Sequence, residues 1–413
     1  MSSRRRVVVT GMHGICPIGD GWPAVRAALL GGRSGVAIVP EWERIEGLRT
    51  RLGAPVIGFQ ASPAWPRKKT RGMGRVALLA AGAVEAALSH AGLLDDARVH
   101  DGTLGLAFGS TSGTPEAMVE YARAFGVERS TKGASPTDYL RLMSHTCAAN
   151  LALLFEIRGR VVPTCSACTS GSQAIGVAYE AVAFGRQRVM VAGGAEELHA
   201  IEASVFDMLL ATSTKSDTPT RTPRPFDVAR DGLVVGEGAG ALVLEDLDLA
   251  RERGATILAE IVGYGTCCDG THLTQPDSGG MQRAMELALA DARLDASDVG
   301  YVNAHATATE LGDVAESAAT HRVFGERVPV SSLKGHLGHT LGACGALEAW
   351  ITLEAVREGF LPPTLNLDDV DPRCAPLDHV RGAPRSADVD VIMSNNFAFG
   401  GINTSLVIRR WHG

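Results

Sequence analysis

No stretch of this 413-residue chain holds the run of about 18 apolar residues that a membrane-crossing helix needs, so no transmembrane span is expected. The start, MSSRRRVVVTGMHG, carries three arginines, but its apolar run stops at three valines before Thr10 and Gly11. That is too short for a signal-peptide core. Positive charge is in deficit: 39 Lys and Arg against 46 Asp and Glu give a formal net charge of -7. This argues against nucleic acid as the main partner, because phosphate binding draws its affinity from basic surface, although a local basic patch stays compatible with it. The eight cysteines, at 16, 147, 165, 168, 267, 268, 344 and 374, show no repeated spacing. Reduced thiols in a cytoplasmic protein are therefore expected rather than a disulfide framework. No Pro- or Ser-rich linker and no low-complexity tract interrupts the chain, so its parts are expected to share one packed body.

Glycine, in contrast, is abundant: 48 residues, roughly one in nine against a usual ~7%. Inside structured sequence this points to tight turns, close helix packing and backbone that approaches a ligand. Short β-branched runs alternate with Ala/Leu-rich segments (RRVVVTG, then VALLAAGAVEAALSHAGL, then TLGLAFGS), the pattern of an α/β protein. Two helical segments, 170 to 185 and 342 to 359, begin with unusually small side chains and are predicted to lie buried between layers. One such helix in each half, and a strand-then-glycine start in both RRVVVTGMHGICPIG and AEIVGYGTCCDG, point to a duplication. The halves are placed at 1–254 and 255–413, divided after the strand read from GALVLEDLDLARERG.

The segment VVPTCSACTSGSQAIG raises the question of what its C-x-x-C does. A thioredoxin-like pair would define a much smaller domain, and a zinc site lacks a second C-x-x-C or a close Cys/His pair. Cys168 stands where strand turns into helix, where free N–H groups and the helix dipole favour thiolate. Cys165, read as still in the strand, is expected to be a small buried hydrophobe. Other strand ends deliver His305, then Lys334 with His339 after a glycine turn, then Phe397, Phe399 and Gly400-Gly401. Ligand crevices of α/β sheets lie outside the carboxyl ends of strands. A thiol, two imidazoles, an ammonium and a glycine turn brought together there suit acyl chemistry.

The motifs SACTSGSQAIG, RPFDVARDGLVVGEGAGALVLE, YVNAHATATELGD, SSLKGHLGHTLGACGALEAW and SNNFAFGGINTSLVI resemble, in the same order, the signatures of the β-ketoacyl-acyl-carrier-protein synthases I and II. The resemblance runs over nearly the whole chain. It implies the thiolase fold, five layers αβαβα with the two small-residue helices in the middle, usually as a homodimer. It implies that Cys168 takes an acyl chain from the phosphopantetheine of an acyl carrier protein, with the N–H groups of Cys168 and Phe399 as oxyanion hole. By the same resemblance His305 and His339 stabilise the enolate left by malonyl decarboxylation, and Lys334 positions groups, with Glu316 as its partner. Glu348 is expected near a structural cation or in a hydrogen-bond network. Thr274, Thr307 and Thr309 would meet the pantetheine arm, and Gly400 the substrate. Arg67, Lys68 and Arg71 of RKKTR would dock the acidic carrier. No resident cofactor and no catalytic metal is implied. His336, three residues before His339, is read as a decoy.

The chain departs from the family pattern at Ala306, Ala308, Ala398 and Ile402, in KGHLGH, and at Ser112, which replaces a bulky gatekeeper at the acyl-channel entrance. A specialised relative, similar to synthases of aryl-polyene and related type II polyketide pathways, is expected. A degradative thiolase would bring a second cysteine from a C-terminal C-x-G motif, and NNFAFGGIN has none. A passive chain-length-factor subunit would lack the cysteine, although pairing with such a subunit remains open.

Overall fold

The computed structural model describes residues 4–413. Its strands β1 (Val7–Cys16), β2 (Leu104–Gly109), β3 (Val161–Thr164), β4 (Val189–Glu196) and β5 (Gly238–Asp246) come from the first half. The second half supplies β6 (Ala259–Cys268), β7 (Tyr301–Asn303), β8 (Pro329–Ser331), β9 (Asp378–His379), β10 (Val391–Phe397) and β11 (Ile402–Arg410). With the short pair Gly19–Asp20 they form one twelve-stranded sheet among the described residues, in the order β9-β8-β7-β10-β11-β6-β1-β5-β4-β2-β3. Each half repeats one scheme: its first strand pairs antiparallel with its last, the last antiparallel with the one before it in the chain, and the remainder run parallel. The halves meet where β1 pairs antiparallel with β6, Val7 opposite Ile261.

Alternation along the strands builds the layers, because successive side chains point to opposite faces. In β5, Leu242 and Leu244 join a central core while Ala239, Ala241 and Val243 face an outer one. In β10 and β11, Ile392, Leu406 and Ile408 join the same central core, and Val391, Met393 and Val407 face a third. The central core is filled by α2 (Ser170–Ala183) and α6 (Cys344–Arg357), which follow α1 (Arg75–His90) in the chain. Helix α1 covers the outer face of the first half, and α4 (Ser278–Ala292) with α5 (Glu310–Phe324) that of the second. Between α2 and α4 lies α3 (Ala200–Met208). The result is the five-layered α/β thiolase fold.

Small residues let α2 and α6 touch: a Cβ on Gly345 would lie 2.5 Å from the Ser172 nitrogen. Strand β1 carries on beyond its three valines to Cys16, through a bulge between Val9 and Gly11. There a Cβ on Gly11 would meet the Ala87 carbonyl at 2.3 Å, so glycine marks close helix approach rather than a turn. The segment GALVLEDLDLARERG is strand only to Asp246, whose carboxylate then caps a short helix, Leu247–Glu252.

Candidate active site

Cys168 follows β3 on a tight elbow. Ala167 is held at φ 49, a left-handed conformation that a non-glycine residue adopts at a cost. The Ser170 hydroxyl braces the elbow, accepting from the Ser166 nitrogen at 2.9 Å and donating to the Ala167 carbonyl at 2.7 Å. The elbow aims the sulfur into the protein, 3.0 Å from His339 Nε2. Helix α2 starts two residues on, at Ser170. Its dipole is not enough to hold a thiolate: burial pushes the Cys168 thiol up to about 12, against Lys334 and the backbone N–H groups of Cys168 and Phe399. The expected resting thiolate is therefore corrected to a neutral thiol beside a neutral base. Cys165 is also corrected: it lies just past the strand and is exposed, its thiol donating to the Thr111 carbonyl at 3.2 Å.

His305 leaves the end of β7 and is fixed through its backbone. The Glu316 carboxylate accepts from the His305 nitrogen at 2.7 Å and the Ala306 nitrogen at 2.6 Å. Glu316 is thus not the partner of Lys334. That partner is Glu348 on α6, in an ion pair with neither side chain exposed. Lys334 also donates to the His305 carbonyl at 2.9 Å and faces His305 Nδ1 at 3.4 Å. Burial works to lower the Lys334 ammonium, but Glu348 and Cys344 outweigh it and hold its pKa above the ordinary value. The second Glu348 oxygen accepts from Asn396 at 2.8 Å, which places Glu348 in a hydrogen-bond network.

The two imidazoles lie edge to face with centroids 5.2 Å apart. Burial, reinforced by the Lys334 charge, holds both well below their usual pKa, so they are neutral at pH 7. Lys334 and Asn396 both present donors to His305 Nδ1, at 3.4 and 3.5 Å. That leaves Nδ1 as acceptor and places the ring proton on Nε2.

A cavity of about 480 Å³ reaches this group from the surface. Cys168, His305, His339, Thr274, Thr307, Thr309, Glu316 and Phe399 line it. Gly400 does not: it is exposed, at φ 86 with its N–H given to the Leu273 carbonyl, and Gly401 forms the wall. Lys334 stands behind His305 rather than in the cavity. Ser112 lies outside it as well, bonded to Glu202 at 3.3 Å. His336 is buried against the Arg33 and Pro363 carbonyls, away from the sulfur. Arg67, Lys68 and Arg71 are exposed on a short helical turn, Arg67–Thr70 and the residue after it, while Lys69 is tied to Glu156 at 2.7 Å. Sequence reading missed Asn396 and Cys344. Asn396 stands inside a quoted motif, SNNF, but only its bond across to α6 gives it a role.

A buried cysteine faced by two neutral imidazoles, on this fold, defines an acyl-condensing enzyme. Residues 4–250 match the model of the β-ketoacyl synthase N-terminal domain and residues 258–368 that of the C-terminal domain. The 3-oxoacyl-acyl-carrier-protein synthase 1 of Haemophilus influenzae is 37% identical, over 99% of this chain and 100% of its own. The crystal structure of a β-ketoacyl synthase from Burkholderia phymatum STM815 superposes with a TM-score of 0.97 at 55% identity, covering 99% of this chain and 100% of that one. The ishigamide ketosynthase/chain length factor gives 0.90 at 31% identity, with 99% and 100% covered. The chain belongs to the β-ketoacyl synthase family.

Proposed function

We propose that the protein condenses an acyl chain held on Cys168 with malonyl-acyl carrier protein, giving 3-oxoacyl-acyl carrier protein and CO₂. The observation that carries this is the 3.0 Å contact between the Cys168 sulfur and His339 Nε2 with His305 beside it. In the first half-reaction the thiol proton passes to His339 as sulfur attacks the acyl thioester. The carrier's pantetheine thiol leaves and takes that proton. The thioester oxygen is received by the Cys168 and Phe399 N–H groups, which face the sulfur. In the second, malonyl-carrier loses CO₂, and its enolate oxygen meets the imidazoles, His305 through Nε2–H. The carbanion attacks the acyl carbonyl and expels the cysteine sulfur, which returns to the neutral thiol by taking one proton from solvent by way of His339, so the cycle consumes one proton overall. Neutral rings suit the cycle, since His339 keeps a lone pair on Nε2 to accept the thiol proton while His305 still donates through Nε2–H.

The pantetheine arm would enter through the threonine-lined cavity, with the carrier docked on Arg67, Lys68 and Arg71. A second copy of this chain would cover β3, which is a sheet edge with Val161 exposed and with Leu153 exposed on the helix packed against it. The likeness to a ketosynthase/chain length factor supports a related chain as the alternative occupant. Incubation with acyl-carrier protein and malonyl-carrier protein tests the reading. Intact-mass analysis should find the acyl group on Cys168 and 3-oxoacyl-carrier as product, and an acyl group on any other residue would overturn it.

A further inference from the structure

The side chains of the reacting centre are also metal ligands. The Cys168 sulfur and one ring nitrogen each of His305 and His339 lie within 4.8 Å of one another, and all three residues are buried. One thiolate with imidazole is a donor set that zinc takes in catalytic sites. With bonds of about 2.3 Å to sulfur and about 2.0 Å to nitrogen, zinc would hold these atoms roughly 3.3–3.6 Å apart. Turns of about an ångström or less at each side chain would close the three around one ion. The cavity leaves its fourth position open. Zinc bound there would send the thiol proton to solvent and occupy the lone pairs that the sulfur and His339 need for acyl transfer.

What surrounds these ligands is the reverse of what zinc needs. A histidine that ligates metal passes its other ring N–H to an acceptor, commonly a carboxylate or a backbone carbonyl. His305 meets donors instead: the Lys334 ammonium at 3.4 Å and the Asn396 amide at 3.5 Å, both on Nδ1. They keep the proton on Nε2, the nitrogen left for a metal. Ligation through Nε2 would drive that proton to Nδ1, against two N–H groups, or expel it. The ammonium on one side of the ring also opposes a dication on the other, although Glu348 offsets part of its charge. A suitable acceptor is close by, for a Glu348 oxygen lies within 4.8 Å of a His305 ring nitrogen. It is engaged by Lys334 and Asn396 instead.

We propose that Lys334 guards the Cys168–His305–His339 cluster against zinc, holding a ready set of metal ligands metal-free by fixing the His305 proton and claiming Glu348. The full-length protein is titrated with zinc chloride in competition with a chromophoric chelator, and zinc per chain is counted by elemental analysis after desalting. Lys334→Met frees Glu348 to accept from His305 Nδ1, so it should bind one zinc per chain about 100-fold tighter than the wild type. Its thermal midpoint should rise with zinc while that of the wild type moves little. Should that variant not fold, Lys334→Met with Glu348→Leu leaves no buried charge behind, and should gain about tenfold, having lost a donor without gaining an acceptor. Adding Cys168→Ala to either should remove the gain. Wild-type zinc binding as tight as that of the Lys334 variants, or no zinc on either of them, overturns the proposal. So does zinc that survives Cys168→Ala, which would place the ion among His305, Cys344 and Glu348 instead. Zinc affinity is read without any acyl substrate, so its outcome is separate from that of the condensing reading, which fails only if the wild type takes no acyl group on Cys168.

Discussion

The two halves have the same strand order yet supply the site unequally. In the first, the loop after β3 gives a single sulfur. At the equivalent place in the second, the loop after β8 gives Lys334 and His339, while β7 gives His305 and the turn between β10 and β11 gives Phe399. The strand equivalent to β10, β4, ends in the buried carboxyl Glu196 instead. One topology thus presents strand ends at the same points twice, and the residue placed at each end decides whether it reacts, donates or shapes a wall. The nucleophile sits in one half and its proton acceptor in the other, so catalysis depends on how the central helices hold the halves in register.

The largest effect comes from emptying the first half's contribution. Cys168→Ala should lower condensation by about 10³-fold or more and abolish the acyl adduct. His305→Ala should leave an adduct on Cys168 yet slow malonyl decarboxylation by about 10²- to 10³-fold. Rapid-quench assays of the two half-reactions check the pair. Equal losses in both steps for His305→Ala would contradict the division of labour between halves.

Next is the buried ion pair. Lys334→Ala leaves Glu348 charged and unpaired among side chains with no exposure, which should cost about 3–5 kcal/mol of stability by denaturant titration. The double change Lys334→Met with Glu348→Leu should restore most of that stability but not the rate, because His305 Nδ1 loses the charged one of its two donors. Recovery of both would mean that the pair serves packing alone.

A smaller effect is expected from acid. Both imidazoles have folded pKa values below the ordinary 6.5. Condensation should therefore stay level from pH 8 to 6.5 and decline only below it. The sign for stability follows from the same direction: below pH 6.5 the unfolded chain takes up protons before the folded one, so stability falls as pH falls. A rate that already halves between pH 7.5 and 6.5 would show a charged ring in the resting site.

How much of this the sequence holds varies with range. The middle helices were legible because their small residues and length leave little else for them to be. They occur at Ser170–Ala183 and Cys344–Arg357, within the expected segments. Cys168, His305 and His339 were legible because each follows a strand within a specific motif. The exposure of Cys165, the choice of Glu348 over Glu316 as the lysine's partner, and the neutral thiol were not. Each depends on which distant segment lies opposite, and a helix start two residues away says nothing of how dry the sulfur is. Ser112 stood out in sequence as a small residue, but its partner Glu202, 90 residues on, appears only once α3 is placed.

The finest comparison sets one alanine against another. Ala167 at φ 49 precedes the sulfur, and Ala308 at φ 66 follows His305. Replacing either with glycine relieves about 1–2 kcal/mol of left-handed strain but gives back about 0.4–1 kcal/mol in unfolded-chain entropy and part of a methyl group's burial. Each change should thus move stability by under about 1 kcal/mol. Their effects on rate should differ. The histidine loop is held by carboxylates: Glu316 takes the His305 and Ala306 nitrogens, and Asp313 takes the Ala308 nitrogen at 3.1 Å. The sulfur's elbow is held by neutral groups alone, the hydroxyls of Ser170 and Thr169 and the Cys344 thiol, so more of its aim depends on the restricted backbone of residue 167. Ala167→Gly should slow acylation of Cys168 by about threefold or more, since a nucleophile free to sample wider angles attacks less often. Ala308→Gly should change malonyl decarboxylation less than that. Single-turnover acylation and decarboxylation rates, measured alongside thermal melts, decide it; a larger loss from Ala308→Gly would place the strained, rate-setting loop in the second half instead.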